Sequence, residues 1–186
     1  MKLYPNGILI QGLNNPTNFI TAIDYRGASA YYQYPLSCIR QDECKSISNE
    51  ISYRKEKDEL YVVLEFISNM DLASRYAKMC HKYEIPIRTL FIESEYIDEM
   101  WHDPIPQGTF LGFEYCTIPF DSQIITDFDW YQPFRKFYSK LNHNGLFHSY
   151  ADVQEFKQAY DKALKNDEIG DGDMDAYICR ISELVL

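Results

Sequence analysis

Leu60-Tyr61-Val62-Val63-Leu64-Glu65-Phe66-Ile67 is a short, nearly continuous apolar run, rich in β-branched and aromatic side chains, and the fold is read outward from it. Such a run predicts a buried strand. Ser68 and Asn69 follow with side chains able to cap a helix. Leu72, Ala73, Tyr76, Ala77, Cys80 and Tyr83 then recur at the 3.6-residue spacing of an amphipathic helix. Pro86 stops that helix, and Ile87-Arg88-Thr89-Leu90-Phe91-Ile92 predicts a second strand. Strand, helix and strand in this order make a βαβ unit around residues 60–92, with a right-handed crossover and parallel strands expected.

Downstream, Thr109 to Thr117 predicts a further strand, and Gly112 inside it suggests a bulge or a close backbone approach. Trp130 to Asn142 has helical spacing through Phe134, Phe137, Tyr138 and Leu141, with Gly145 as its stop. Ser149-Tyr150-Ala151-Asp152 has the form of a capping box. The helix it opens carries Val153, Phe156, Tyr160, Ala163 and Leu164 on one face. From Met174 to Val185 both helical spacing and strand propensity are present, and Tyr177 to Ile181 favours a strand. Upstream, Gly7 to Gln11 reads as a strand, Thr21 to Tyr34 as a hairpin around Tyr25-Arg26-Gly27, and Lys45 to Glu59 as a polar surface segment or loop. No internal repeat and no Gly-, Pro- or Ser-rich linker is visible. The expectation is a single α/β or α+β domain over residues 1–186, with a mixed sheet, the βαβ unit and C-terminal helices.

A chain of 186 residues with 46% hydrophobic side chains can bury a sizeable core, which excludes disorder as the general state. Met1 to Gly7 does not have the form of a secretory signal, and no apolar run reaches the roughly 18 residues of a membrane span. Cys38, Cys44, Cys80, Cys116 and Cys179 are odd in number and lack close pairing, so reduced thiols in a cytoplasmic, bacterial-type protein are expected. No membrane contact is predicted.

The motifs that carry chemistry are sparse. Cys80 and His81 are helix neighbours that point about 100° apart, so they do not form a nucleophile and its base. Glu99-Met100-Trp101-His102 is a single Glu-x-x-His where di-iron bundles use two. His143 and His148 flank Gly145 at a helix end, where dipole contacts explain the first. Asp171-Gly172-Asp173-Met174-Asp175 opens like a calcium loop, but Ala176 and Ser182 stand where Gly and Glu are required. No catalytic residue, metal site or cofactor is therefore expected.

Charge is the most informative feature. Eighteen Lys and Arg against 28 Asp and Glu give −10, which disfavours nucleic acid as a partner. From Thr89 to Phe134 there is no Lys or Arg, while nine carboxylates (Glu93, Glu95, Asp98, Glu99, Asp103, Glu114, Asp121, Asp127, Asp129) and eleven aromatics occur. The rest of the chain is nearly balanced, with 19 carboxylates against 18 cations. One explanation is carboxylates toward solvent with aromatics in the core. The other is a surface of acids around exposed aromatics, suited to a basic protein. Its candidate partner-binding residues are Glu95, Tyr96, Asp98, Glu99, Trp101, Asp103, Asp127, Asp129 and Trp130.

In size, acidity and aromatic content, and in the segments Leu111-Gly112-Phe113-Glu114-Tyr115-Cys116 and Asn142-His143-Asn144-Gly145-Leu146-Phe147, the chain resembles bacterial immunity proteins of polymorphic and contact-dependent toxin systems. The resemblance implies a non-enzymatic inhibitor that neutralises a basic toxin or effector. The alternative is a small enzyme or ligand-binding domain with a pocket at the C-terminal ends of the Leu60–Ile67 and Ile87–Ile92 strands. A third is a homo-oligomer with aromatics packed across its interface.

Overall fold

Alternation of apolar side chains with period two builds one central sheet here. A computed structural model describes residues 2–13, 23–24, 28–29, 31–33, 41–56, 66–67, 69–96, 101–117, 121–122, 131–169 and 176–186. Its strands are β1 (Tyr4–Leu13), β2 (Ile23–Asp24), β3 (Ala28–Ser29), β4 (Tyr31–Gln33), β5 (Ile87–Ser94), β6 (Thr109–Thr117), β7 (Asp121–Ser122) and β8 (Ala176–Leu184). Its helices are α1 (Asp42–Glu56), α2 (Met70–Lys82), a 3-10 helix (Gln132–Lys140) and α3 (Tyr150–Lys165). Six strands form one sheet in the order β4-β1-β5-β8-β6-β7, and β2 pairs with β3 as a separate hairpin. The fold is α+β.

The two faces of the sheet are read directly from alternation. Ile8 and Ile10 of β1 and Phe91 of β5 pack with Leu72, Ala73, Tyr76, Ala77 and Cys80 of α2, and with Cys44 and Ile47 of α1. Phe113 and Tyr115 of β6 and Ala176 and Ile178 of β8 pack with Val153, Phe156, Tyr160 and Ala163 of α3, and with Phe134 and Phe137 of the 3-10 helix. The intervening residues Leu9, Leu90, Ile92, Cys116, Cys179 and Ile181 form a second apolar layer on the opposite face. Each fully buried aliphatic or Phe side chain contributes roughly 1.5–3 kcal/mol relative to exposure.

Every ladder among the described strands is antiparallel. This corrects the expected parallel pair and the mixed sheet. β5 lies between β1 and β8, antiparallel to both. Ile67 bridges Ile8 on the other side of β1, also antiparallel. The chain at Ile67 and β5 thus run in the same direction, but β1 lies between them. Residues 60–65 of the expected first strand are outside the described residues. Periodicity identifies a buried strand, but it cannot name the strand beside it.

Other expectations divide in the same way. The strand at Thr109–Thr117 is present with its bulge at Gly112, and the C-terminal segment is the strand β8. The expected hairpin contains β2 and β3. Lys45 to Glu59, expected as a polar surface segment or loop, lies largely in the helix α1, whose Cys44 and Ile47 anchor it to α2 while ion pairs Arg75–Glu50 and Lys82–Glu43 hold its polar side. The helix expected at 130–142 is a 3-10 helix that stops at Leu141 in extended conformation, and Gly145 serves the following turn instead.

No repeat is visible in the sequence, yet the backbone contains one. β1 and β6 each carry a bulge at a glycine, Gly7 and Gly112, with φ 148° and 150°. The residue after each glycine bridges a short segment: Ile8 to Ile67 and Phe113 to Phe147. Two residues beyond each bridge a side chain caps a helix, Asn69 for α2 and Ser149 for α3. Each helix ends in a left-handed residue, Glu84 or Asp167, and leads to a strand that pairs back on its own bulged strand. Gly7 faces Ile92, Gly112 faces Ile181, and Ile92 faces Ile181. A pseudo-twofold axis therefore passes through the Ile92–Ile181 pair and relates the two halves.

Candidate functional site

The helix-side positions of the two central strands carry polar residues where a core would be apolar. On β5 these are Thr89 and Glu93, on either side of Phe91, and on β8 they are Arg180 and Ser182, before Leu184. The register sets Glu93 opposite Arg180, and Arg180 opposite Phe113. Arg180 Nη1 donates to Glu93 Oε2 at 2.7 Å. This pair is graded in exposure, with the Arg180 side chain 40% exposed and that of Glu93 only 11%.

Phe110 completes the arrangement. Phe110 and Phe113 are three residues apart and would fall on opposite faces of a regular strand. The bulge between Phe110 and Gly112 restores them to one face, with ring centroids 5.2 Å apart. The Arg180 guanidinium lies 5.4 Å from the Phe110 centroid, a cation–π contact, while the Phe110 side remains 43% exposed. Phe113 meets the Tyr150 ring at 5.9 Å, and the Tyr150 hydroxyl donates to Glu95 Oε1 at 2.9 Å. Burial, and then the Glu95 carboxylate, push the Tyr150 phenol above its ordinary pKa. A carboxylate, a guanidinium and an open aromatic ring thus stand in line near the pseudo-twofold axis, beside the N-terminus of α3.

The residues expected at a partner surface are placed differently from one another. Glu95 is bound to Tyr150, as above, and its backbone N–H donates to Ile178 O at 3.1 Å. Tyr96 is exposed, edge-to-face with Tyr177 at 5.2 Å. Trp101, expected as an exposed anchor, is instead 8% exposed and packs edge-to-face on Phe91 at 5.0 Å. Its bulk fills the layer between α2 and the sheet. Asp103 accepts a hydrogen bond from Met70 N at 2.8 Å, so its carboxylate sits on the N-terminal end of α2. Asp98, Glu99, Asp127, Asp129 and Trp130 lie outside the described residues.

Arg180, Glu93 and Phe110 were not among the expected contact residues. The available signal was Arg180 alone among apolar residues in Tyr177-Ile178-Cys179-Arg180-Ile181. Cys80 is buried on the apolar face of α2, as expected. Asp171 to Asp175 lie outside the described residues. Among the described residues no group of three or more His, Cys, Asp or Glu is placed to hold a metal, and no helix is long and apolar enough to cross a membrane.

Comparison with protein-family models, with curated proteins and with solved structures finds no match to the chain.

Proposed function

We propose that this protein is a non-enzymatic, cytoplasmic binding module that neutralises a basic toxin or effector, in the manner of an immunity protein. The observation that carries the binding reading is Phe110, a large apolar ring 43% exposed to solvent that also meets the Arg180 guanidinium and the Phe113 ring. Aromatic and Arg side chains in such settings dominate the energetics of protein interfaces. The net charge of −10 favours a basic partner through long-range attraction.

The acidic patch first expected receives less support than the aromatic anchor. Of its described carboxylates, Glu95 and Asp103 are engaged in internal hydrogen bonds. The ligand-pocket alternative draws no support from β5, whose described neighbours are antiparallel, whereas open-sheet crevices form where parallel strand order reverses.

Affinity capture in low and high salt, followed by binding measurements on the retained basic protein, tests the proposal. Phe110→Ala should weaken binding at least tenfold, with an unchanged melting temperature. Equal affinity of the variant and the parent protein would remove Phe110 as the anchor.

A further inference from the structure

Cys116 of β6 and Cys179 of β8 are thiols on the sheet face away from the helices, both buried among Leu9, Leu90, Ile92 and Ile181. The ladder pairs Cys116 with Tyr177 and Glu114 with Cys179, so the cysteines stand on a diagonal of one antiparallel pair. Their sulfurs are 3.1 Å apart. That is closer than the ~3.5–4.0 Å of ordinary non-bonded carbon packing. A disulfide requires about 2.05 Å, so each sulfur need move only about half an ångström to close it.

We propose that Cys116 and Cys179 are a redox pair, joined by an oxidant of the peroxide class into a disulfide that staples β6 to β8. One thiolate attacks a peroxide oxygen, giving a sulfenic acid and releasing water or an alcohol. The second thiol then attacks that sulfur, the S–S bond forms, and water leaves. Two thiols are oxidised by two electrons in all, and the peroxide is reduced by the same two. Both sulfurs are buried, so the reaction waits on local opening of the β6–β8 ladder and is slow beside that of an exposed thiol.

The cysteines are 63 residues apart in sequence, and the bridge would close a loop holding the 3-10 helix and α3. It would also fix the strand pair that carries Phe110, Phe113 and Arg180. The pair is independent of the partner proposed above.

The test is graded hydrogen peroxide treatment of the full chain, followed by alkylation without reduction and peptide mapping. The expected result is a cross-linked peptide pair containing Cys116 and Cys179, lighter by two hydrogens. The melting temperature should rise by about 10 °C and return on adding dithiothreitol. Cys116→Ser and Cys179→Ser should each abolish that rise, and the linkage in the parent protein stands as evidence even if a variant folds poorly. Recovery of both cysteines unlinked after oxidation, or linked to Cys38, Cys44 or Cys80, would overturn the proposal.

Discussion

Glu84 and Asp167 adopt φ of 55° and 57°, a conformation that costs an L-residue with a Cβ. Each ends a helix. Glu84 N donates to His81 O and Ile85 N to Cys80 O, while Asp167 N donates to Leu164 O and Glu168 N to Ala163 O. This is the double hydrogen bond of a Schellman end, where glycine is the usual occupant. Glu84→Gly should raise stability by about 0.5–1 kcal/mol in urea denaturation, and Asp167→Gly by less, since Asp tolerates this region better. The opposite holds at Gly112. A Cβ there would lie 2.6 Å from Leu146 Cβ and 2.9 Å from Phe147 O, both parts of a buried segment. Gly112→Ala should cost about 2–3 kcal/mol, through overpacking and backbone strain together. An unchanged urea midpoint would mean that the bulge can shift to make room.

At the scale of the element, the two long sheet-packed helices begin in chemically different ways. Asn69 Oδ1 accepts from Leu72 N at 3.0 Å at the start of α2, and Asp103 adds a carboxylate from a distant segment. α3 relies on Ser149, whose Oγ accepts from Asp152 N at 3.2 Å and donates to Asp152 Oδ2 at 2.5 Å. The Ser149 hydroxyl, and secondarily Lys140, hold the Asp152 carboxyl below its usual pKa. A depressed carboxylate pKa gives stability that is present above the unfolded value, near 3.9, and is lost as pH falls through the folded value. Asp152→Asn should therefore be less stable than the parent protein at pH 6, with the gap closing as pH falls below about 4. A pH-independent gap in urea midpoints would exclude the ionised carboxylate as its cause. Ser149→Ala should cost about 1 kcal/mol at neutral pH, by loss of the cap.

For the whole molecule, the sheet order sets a gradient of stability from the pseudo-twofold axis outward. Among the described strands, β5 and β8 have a strand on each side, whereas β4 and β7 stand at the two ends of the order and pair over a few residues. Amide exchange should be slowest in β5 and β8 and fastest in β4 and β7, as measured by hydrogen–deuterium exchange. Faster exchange in β8 than in β4 would contradict the central placement. Charge also acts at this scale. Association with a basic partner should slow as ionic strength rises, because the Debye length falls from about 10 Å at 0.1 M to about 3 Å at 1 M.

Local rules determined much of the local structure. The apolar face of α2, its Asn69 cap, the Ser149 cap of α3, the strand at 109–117 and its bulge at Gly112 are all legible, because each depends on residues a few positions apart. The net charge and the absence of familiar catalytic spacing are likewise properties of the sequence. Strand neighbours are not. Which strand lies beside β5 depends on contacts more than 80 residues distant in the chain, as in the Ile8–Phe91 and Ile92–Ile181 pairs. The same distance hides the repeat, since its halves share backbone geometry while using different side chains at equivalent positions. It also hides the site. Trp101 and Phe110 are both aromatic residues of one acidic stretch, and only packing buries the first and leaves the second open beside Arg180.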